Sequence, residues 1–218
     1  MTEPAPVLHI VDDDDSFRTA ISRLLRTSGY EVKAYRSATD FLLEPPAQGS
    51  GCLLLDLQMP GPSGLDLQEA IARRGDDLPV IFLTAHGDIP KTVRAMRQGA
   101  TDFLTKPVRR EELLAAVRSA LTRQSERESA TRRRREIAAR YARLTPKERE
   151  VLERVVSGAL NKQIAAAIGA SERTVKAPRA RIMEKMEVDS VAELVLVNAA
   201  LRQRAGDRRP VPSTAGLL

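Results

Sequence analysis

Short apolar runs alternate with amphipathic segments along the first 120 residues of the chain. Five of these runs predict strands, at residues 7–11, 31–36, 52–57, 79–85 and 101–105. Between them, apolar residues recur at intervals of three and four, which is typical of helices that bury one face. Strands that alternate with helices and are almost entirely apolar belong to parallel sheets covered on both sides. The pattern therefore predicts an α/β fold with a doubly wound five-stranded parallel sheet.

Polar residues stand where the predicted strands end. Asp12 and Asp13 follow the first strand, and Asp56 lies near the end of the third. Thr84 and Lys106 come at the ends of the fourth and fifth. Because ligands of doubly wound sheets bind at the carboxyl ends of the strands, we expect these five side chains to meet at one edge.

Three carboxylates at one edge suit a hard cation and a phosphoryl group. Mg²⁺ takes oxygen ligands and is usually held by one or two carboxylates together with phosphate and water. The carboxylate of Asp56 can also act as a nucleophile and form an acyl phosphate. The ammonium of Lys106 and the hydroxyl of Thr84 are suited to pair with phosphoryl oxygens. A single Asp at a strand end is more often a helix cap or a solvated loop residue. We interpret Asp14 and Asp15 as helix N-terminal caps.

The second half of the chain has a purely helical pattern. Residues 109–143 contain no Gly or Pro and predict one long helix, and its strongly charged part, 123–143, is interpreted as a helical linker. We assign the preceding sheet domain to residues 5–122.

Two short helices joined by a Gly-Ala-Ser turn are typical of a helix-turn-helix. Asn161 is the expected cap of the first, and Ser171 that of the second. A capping box with Pro at the first helical position begins at Thr145. We therefore predict a small all-α domain over 144–205, followed by a flexible tail at 206–218.

Charge is divided unevenly between the two halves. The chain carries a formal net charge of +6, but residues 1–120 hold 14 basic and 17 acidic residues, and the rest hold 21 and 12. An acidic front half and a basic rear half predict two domains with different partners, the second one nucleic acid.

Several classes of protein are excluded by composition. The single Cys52 supports neither a disulfide framework nor a thiolate metal site, and we interpret it as a small core residue. No apolar run approaches the ~18 residues that cross a bilayer. The N-terminus lacks the basic region of a signal peptide, so we expect a cytoplasmic protein with no membrane partner.

A resemblance rests on motifs in both halves. The front half contains VDDD, LLLDLQMPGPSG, FLTAHGD and DFLTKP. These resemble the flavodoxin-like receiver domain of bacterial response regulators. The rear half contains LTPKEREVLERVVSGALNKQIAAAIGASERTVKAPRARIMEKM, which resembles a LuxR-type helix-turn-helix. Together they resemble NarL/FixJ-type two-component regulators, and HGDIPKTVRAMRQGATDFLTKP is especially similar to the FixJ branch.

The resemblance implies roles for the residues at the predicted edge. Asp56 would accept a phosphoryl group from a sensor histidine kinase. Asp12, Asp13 and Asp56, with the backbone carbonyl of Gln58, would bind Mg²⁺.

Three further residues would respond to the phosphoryl group. Lys106 would contact it, and Thr84 would shift toward its oxygens. Phe103 would be the aromatic residue whose rotamer follows that shift; its alternative role is that of a core aromatic.

Phosphorylation is expected to bias the face formed by the fourth helix, fifth strand and fifth helix, since it adds about −1.5 to −2 charge. Arg94, Arg97, Asp102 and Arg110 lie on that face, which we expect to form a homodimer interface.

DNA contacts are expected from the second helix of the predicted motif, because such a helix enters the major groove. The residues at its N-terminus that would face bases are Arg173, Thr174, Val175 and Lys176. Two later arginines, Arg179 and Arg181, would hold phosphates, and Lys162 of the preceding helix would touch the DNA backbone.

Pro178 departs from the family pattern, which usually has His at this position. A proline inside a helix removes one hydrogen bond and clashes with the preceding turn, at a cost of ~3 kcal/mol or more. We therefore expect a bend or break near 175–178 and weakened DNA binding.

The arginine run at 132–135 has three interpretations. It could be a solvated helical face, a contact with the DNA backbone, or an intramolecular lock on the acidic domain.

The preferred function is a phosphorylation-activated transcription factor that acts on promoter DNA and RNA polymerase and is not an enzyme. One alternative is a phosphatase or phosphotransferase with an aspartyl nucleophile. Another is a protein-interaction switch that has lost DNA binding through Pro178.

Overall fold

The computed structural model describes residues 5–44, 51–76, 78–85, 89–169 and 171–206. The chain divides into two compact units between Glu128 and Ser129.

Strands and helices alternate throughout the first unit. In chain order they are β1 (Val7–Val11), α1 (Asp15–Thr27), β2 (Glu31–Tyr35), α2 (Ala38–Leu43), β3 (Gly51–Asp56), α3 (Gly64–Arg74), β4 (Val80–Thr84), α4 (Ile89–Arg97), β5 (Asp102–Thr105) and α5 (Arg110–Ala142), of which α5 continues into the second unit. The strands form one parallel sheet in the order β2-β1-β3-β4-β5. The predicted doubly wound five-stranded parallel sheet is confirmed.

Both faces of the sheet are covered, which explains why its strands are apolar almost throughout. In β3, Leu53 and Leu55 pack on the side of α2 and α3, whereas Cys52 and Leu54 pack on the side of α1 and α5. All six residues of β3 are buried. Cys52 is a buried core residue, as interpreted from the sequence, and burial raises the pKa of its thiol to about 12.

The start of β3 is held by close backbone contacts. A Cβ on Gly51 would lie 2.2 Å from the carbonyl oxygen of Val7, so β1 and β3 approach as they do only because this residue is glycine. The amide of Gly51 donates to Oε1 of Gln124 at 2.6 Å. Gln124 is buried, and so α5 contacts the sheet beyond residue 122.

Four further helices complete the second unit. They are α6 (Pro146–Val156), α7 (Asn161–Ala167), α8 (Glu172–Met186) and α9 (Val191–Gly206). Ile137 and Tyr141 of α5 pack into the same core, and the predicted capping box of Thr145 and Glu148 is present. The predicted tail at 206–218 lies outside the described residues after Gly206. Among the described residues, no helix is both long and apolar enough to cross a bilayer.

Helix α8 continues through Pro178, so the expected break near 175–178 is wrong, and the expected bend stays a prediction. Val175, Ile182 and Met186 lie on one face of α8 and are buried in the core of the second unit. Burying such side chains contributes about 1.5–3 kcal/mol each, and the three together exceed the roughly 3 kcal/mol local cost of proline. Packing on both sides of Pro178 therefore holds the helix together.

His9 of β1 lies in a buried aromatic cluster with Tyr35 of β2 and Phe41 of α2. Its ring stacks on Tyr35 and meets Phe41 edge-on, with centroids 5.9 Å and 5.7 Å away. Its Nδ1 lies 3.3 Å from the Tyr35 hydroxyl oxygen. Burial, assisted by the charge of Lys33, lowers the pKa of His9 to about 4. The imidazole is therefore neutral in the folded protein at neutral pH.

We expect the first unit to lose stability in mild acid because of His9. Between the unfolded pKa of about 6.5 and the folded pKa of about 4, only the unfolded chain binds this proton. The free energy of unfolding should therefore fall by about 2 to 3 kcal/mol from pH 7 to pH 4.5 through this residue. Urea unfolding of wild type and His9→Gln at both pH values measures the difference. Equal pH dependence in the two proteins would contradict the assignment.

Candidate functional site

Four of the predicted site residues lie where the strands of the first unit end. Asp12 follows β1, Asp56 ends β3, Thr84 ends β4 and Lys106 follows β5. The ammonium of Lys106 donates to Oδ2 of Asp12 at 2.6 Å and to Oδ2 of Asp56 at 2.8 Å. Asp12, Asp56 and Thr84 are buried. These residues lie together at the edge that the sequence predicts.

Asp13 completes a group of three carboxylates. One oxygen each from Asp12, Asp13 and Asp56 lies within 4.8 Å of the other two, and Asp13 is the exposed member. Lys106 supplies one positive charge against these three acids. The excess of oxygen donors and negative charge fits a hard divalent cation such as Mg²⁺.

Burial and ion pairing compete at this edge. Burial and, less strongly, the charge of Asp56 raise the pKa of Asp12, and together they exceed the opposing hydrogen bonds and the charge of Lys106. Burial also acts to lower the pKa of Lys106, but the hydrogen bonds and charges of Asp12 and Asp56 outweigh it, so the net shift is upward. Lys106 therefore remains an ammonium that bridges two carboxylates.

The loop after β3 fixes the orientation of Asp56. The amide of Gln58 donates to Oδ1 of Asp56 at 3.1 Å, so the contact seen here uses the Gln58 amide. The metal-binding role expected for the Gln58 carbonyl stays a prediction. Gly64 begins α3 against the strand, and a Cβ there would lie 2.2 Å from the carbonyl oxygen of Asp56. Ser63 caps α3 in a capping box with Asp66.

The first turn of α1 makes two contacts that sequence reasoning missed. The ring centroid of Phe17 lies 4.1 Å from Nζ of Lys106. Nη1 of Arg18 donates to the carbonyl oxygen of Asp12 at 2.6 Å, and its guanidinium also pairs with Asp15. Asp14 caps the helix by accepting from the amide of Phe17, as its interpretation as a cap predicts. That cap is the one sequence signal that places residues 17 and 18 beside the acidic pair.

The two expected switch residues lie on neighbouring strands. Thr84 is buried at the end of β4, and Phe103 is partly buried on β5. The rings of Phe103 and Phe82 lie 6.3 Å apart, so Phe103 packs against the sheet core. The roles of both residues as switches stay predictions.

Most of the expected DNA-contacting side chains are exposed on α7 and α8. They are Lys162, Arg173, Thr174, Lys176 and Arg181. Thr174 is also close to the helix cap, because its hydroxyl lies 2.7 Å from Oγ of Ser171.

Val175 does not belong to that surface, and its assignment as a DNA contact is wrong. Its side chain is fully buried in the core of the second unit. The rotation of α8 on its core turns Val175 inward, while its neighbours Thr174 and Lys176 are exposed.

Arg179 is half-buried and donates to Oδ1 of Asn161. The expectation that Asn161 caps α7 is wrong, because Leu160 occupies the cap position and its amide donates to Gln163. Asn161 instead joins α7 to α8. Sequence spacing offers no signal for this contact, which spans 18 positions.

The arginine run at 132–135 is exposed on α5. Arg132 and Arg133 line a cavity of about 350 Å³ in the second unit together with Glu136, Glu187 and Glu193. Because these three neighbours are acidic, they neutralise part of the charge of Arg132 and Arg133. This favours the interpretation as a solvated helical face over a contact with DNA phosphates.

Two family models match the chain. Residues 8–118 match the response regulator receiver domain, and residues 142–198 match the bacterial regulatory proteins of the luxR family.

Curated relatives and a solved structure share both parts. Response regulator protein TmoT of Ectopseudomonas mendocina is 44% identical over 202 residues, which is 93% of this chain and 92% of TmoT. Transcriptional regulatory protein FixJ of Azorhizobium caulinodans is 44% identical over 195 residues, 89% of this chain and 92% of FixJ. The structure of response regulator StyR has 42% identity and a TM-score of 0.81, covering 89% of this chain and 98% of StyR.

We expect Gly64→Ala to displace the strand end that bears Asp56, because the new methyl group would overlap its carbonyl oxygen. The free energy of unfolding should fall by about 1–3 kcal/mol. Gly61→Ala is the matched control, because its Cβ would meet nothing within 4 Å and would suffer only from the positive φ of 81°. Urea unfolding and the amide NMR shifts around Asp56 distinguish the two. Unchanged Asp56 shifts in Gly64→Ala would contradict the expectation.

Proposed function

Because the chain belongs to the DNA-binding two-component response regulators of the LuxR/FixJ type, we propose that phosphorylation of Asp56 controls its binding to promoter DNA. Members of this family are transcriptional regulators and not enzymes. Sensor kinases and DNA are their partners. The observation that carries the proposal is the pairing of Lys106 with Asp12 and Asp56 at the edge of the sheet.

The phosphoryl donor is a phosphohistidine of a sensor histidine kinase. A carboxylate oxygen of Asp56 attacks the phosphorus, the bond from phosphorus to the histidine nitrogen breaks, and its electron pair returns to the imidazole. Lys106 shifts from the carboxylate to the incoming phosphoryl oxygens. When bound by Asp12, Asp13, Asp56 and the Gln58 carbonyl, Mg²⁺ supplies charge neutralisation for the acids and the phosphoryl group.

Phosphorylation reaches the rest of the first unit through Thr84 and Phe103. The hydroxyl of Thr84 donates to a phosphoryl oxygen, and Phe103 on the neighbouring strand repacks in response. The pairing of Thr84 with Thr105, two residues beyond Phe103, supports this coupling because a shift of one strand end displaces the other.

We expect Asp56→Asn to abolish phosphorylation, because an amide is a far weaker nucleophile than a carboxylate. Wild type incubated with acetyl phosphate and Mg²⁺ should gain one hydroxylamine-sensitive phosphoryl group, measured by intact mass. Asp40→Asn, a carboxylate change on α2, is the matched control and should be phosphorylated like wild type. Phosphorylation of Asp56→Asn at the wild-type level would refute the assignment.

The phosphorylated receiver forms a homodimer through α4, β5 and α5. Val93 and Met96 are exposed large apolar residues of α4. Arg94 and Arg97 are exposed on the same helix, and Asp102 is partly exposed at the start of β5. An apolar centre with flanking charges of both signs suits a self-complementary interface.

We expect beryllofluoride, a phosphoryl mimic, to convert the protein from monomer to dimer in sedimentation velocity at micromolar concentration. Arg97→Glu should be phosphorylated normally but remain monomeric, because it places like charges at the interface. Arg74→Glu, at an exposed position of α3, should dimerise like wild type. A wild type that stays monomeric with the mimic would refute this step.

The dimer binds two half-sites of promoter DNA with α8 in the major groove and so recruits RNA polymerase. Exposed Arg173, Thr174 and Lys176 face the bases, whereas Arg181, Arg179 and Lys162 contact the backbone. The continuity of α8 through Pro178 supports DNA binding by this chain, because weakened binding was expected from a break in this helix. The acidic neighbours of Arg132 and Arg133 favour a solvated helical face as the role of the run at 132–135. Neutralising the four arginines and measuring the salt dependence of DNA binding distinguishes this role from a DNA-backbone contact and from an intramolecular lock.

We expect Lys176→Ala and Arg181→Ala to affect DNA binding differently. Loss of Lys176 should reduce discrimination between cognate and mutated half-sites by about 1–3 kcal/mol. Loss of Arg181 should weaken binding to all sequences and lower the slope against salt concentration by about one. Lys147→Ala, exposed on α6, serves as the control. Anisotropy titrations at several salt concentrations measure these effects, and identical behaviour of all three variants would contradict the assignments.

A further inference from the structure

We propose that Phe17 is a positioning residue for Lys106, whose ammonium it holds over the acidic edge and thereby accelerates phosphorylation of Asp56. The inference rests on the proposed function and adds a residue from α1 to the site.

The ammonium of Lys106 is surrounded by three favourable contacts. Two are hydrogen bonds to Asp12 and Asp56. The third is the face of the Phe17 ring, whose centroid is 4.1 Å from Nζ. This distance lies within the roughly 6 Å over which the negative face of an aromatic ring attracts a cation. The side chain of Lys106 is only 13% exposed, so water does little to screen the attraction.

The contact matters most once a phosphoryl group arrives. Attack by Asp56 forms a bond from its oxygen to phosphorus and breaks the phosphorus–oxygen bond of acetyl phosphate, whose electron pair leaves with acetate. Asp56 then no longer attracts Lys106 as a carboxylate, and the ammonium must shift to the phosphoryl oxygens. The uncharged ring of Phe17 attracts the ammonium before and after this change, and it keeps the lysine at the reacting edge.

Helix α1 is built to present this ring. The side chain of Asp14 accepts from the amides of Ser16 and Phe17 and fixes the first turn. The next residue, Arg18, donates to the carbonyl oxygen of Asp12. The same turn therefore contacts both partners of the Lys106–Asp12 ion pair.

The alternative is that Phe17 has only a structural role, since it also packs against the core formed by α1 and α5. Loss of core packing would lower stability without any specific effect on Lys106. Leu24 packs against the same core and is the matched control.

The experiment uses the full-length chain as wild type, Phe17→Leu, Phe17→Tyr and Leu24→Ala. The ring should shift the ε-methylene protons of Lys106 upfield in metal-free NMR spectra, with Lys106→Arg providing the assignment. Phosphorylation by acetyl phosphate with Mg²⁺ is followed by intact mass, and thermal unfolding records stability.

We expect Phe17→Leu to lose the upfield shift and to be phosphorylated about three- to tenfold more slowly. Phe17→Tyr should restore both, and Leu24→Ala should change neither despite its lower stability. A Phe17→Leu protein that loses the shift but reacts at the wild-type rate would overturn the proposal, as would an absent shift in wild type. Failure of wild type itself to be phosphorylated would instead overturn the proposed function.

Discussion

The ion pair that Lys106 makes with Asp12 and Asp56 is the interaction on which the first unit depends. Two buried carboxylates at the end of a parallel sheet repel each other and lose hydration, and a paired ammonium offsets both costs. Asp12 still has a raised pKa, so the compensation is incomplete. The remaining negative charge fits a cation, and in the proposed function the phosphoryl group on Asp56 changes the charge that Lys106 must balance.

Backbone geometry makes this charge arrangement possible. Gly64 lets α3 begin against the carbonyl of Asp56, and the Asp14 cap turns α1 so that residues 17 and 18 contact the site. Neither Gly64 nor Asp14 touches the phosphoryl group in the proposed mechanism. The chemistry of a few carboxylates is thus supported by close packing between α1, α3 and the strand ends.

The second unit follows a different constraint, which is the burial of one helix face. Val175, Ile182 and Met186 anchor α8, and this packing carries the helix through Pro178. The way α8 is rotated on that core exposes Lys176 and Arg181. Arg179 donates a hydrogen bond to Asn161 of α7. A local rule about proline was overridden because several buried side chains together contribute more than one lost hydrogen bond costs.

The pattern of the chain by itself determined the alternating strands and helices, the caps at Asp14 and Thr145, and the sheet edge at which Asp12, Asp56, Thr84 and Lys106 lie. These features depend on residues close in sequence or on the direction in which parallel strands run. Only the tertiary structure decided that Val175 is buried, that Asn161 binds Arg179, and that Phe17 covers Lys106. Such contacts depend on how each helix is rotated on its core, which is set by the packing of residues distant in the chain.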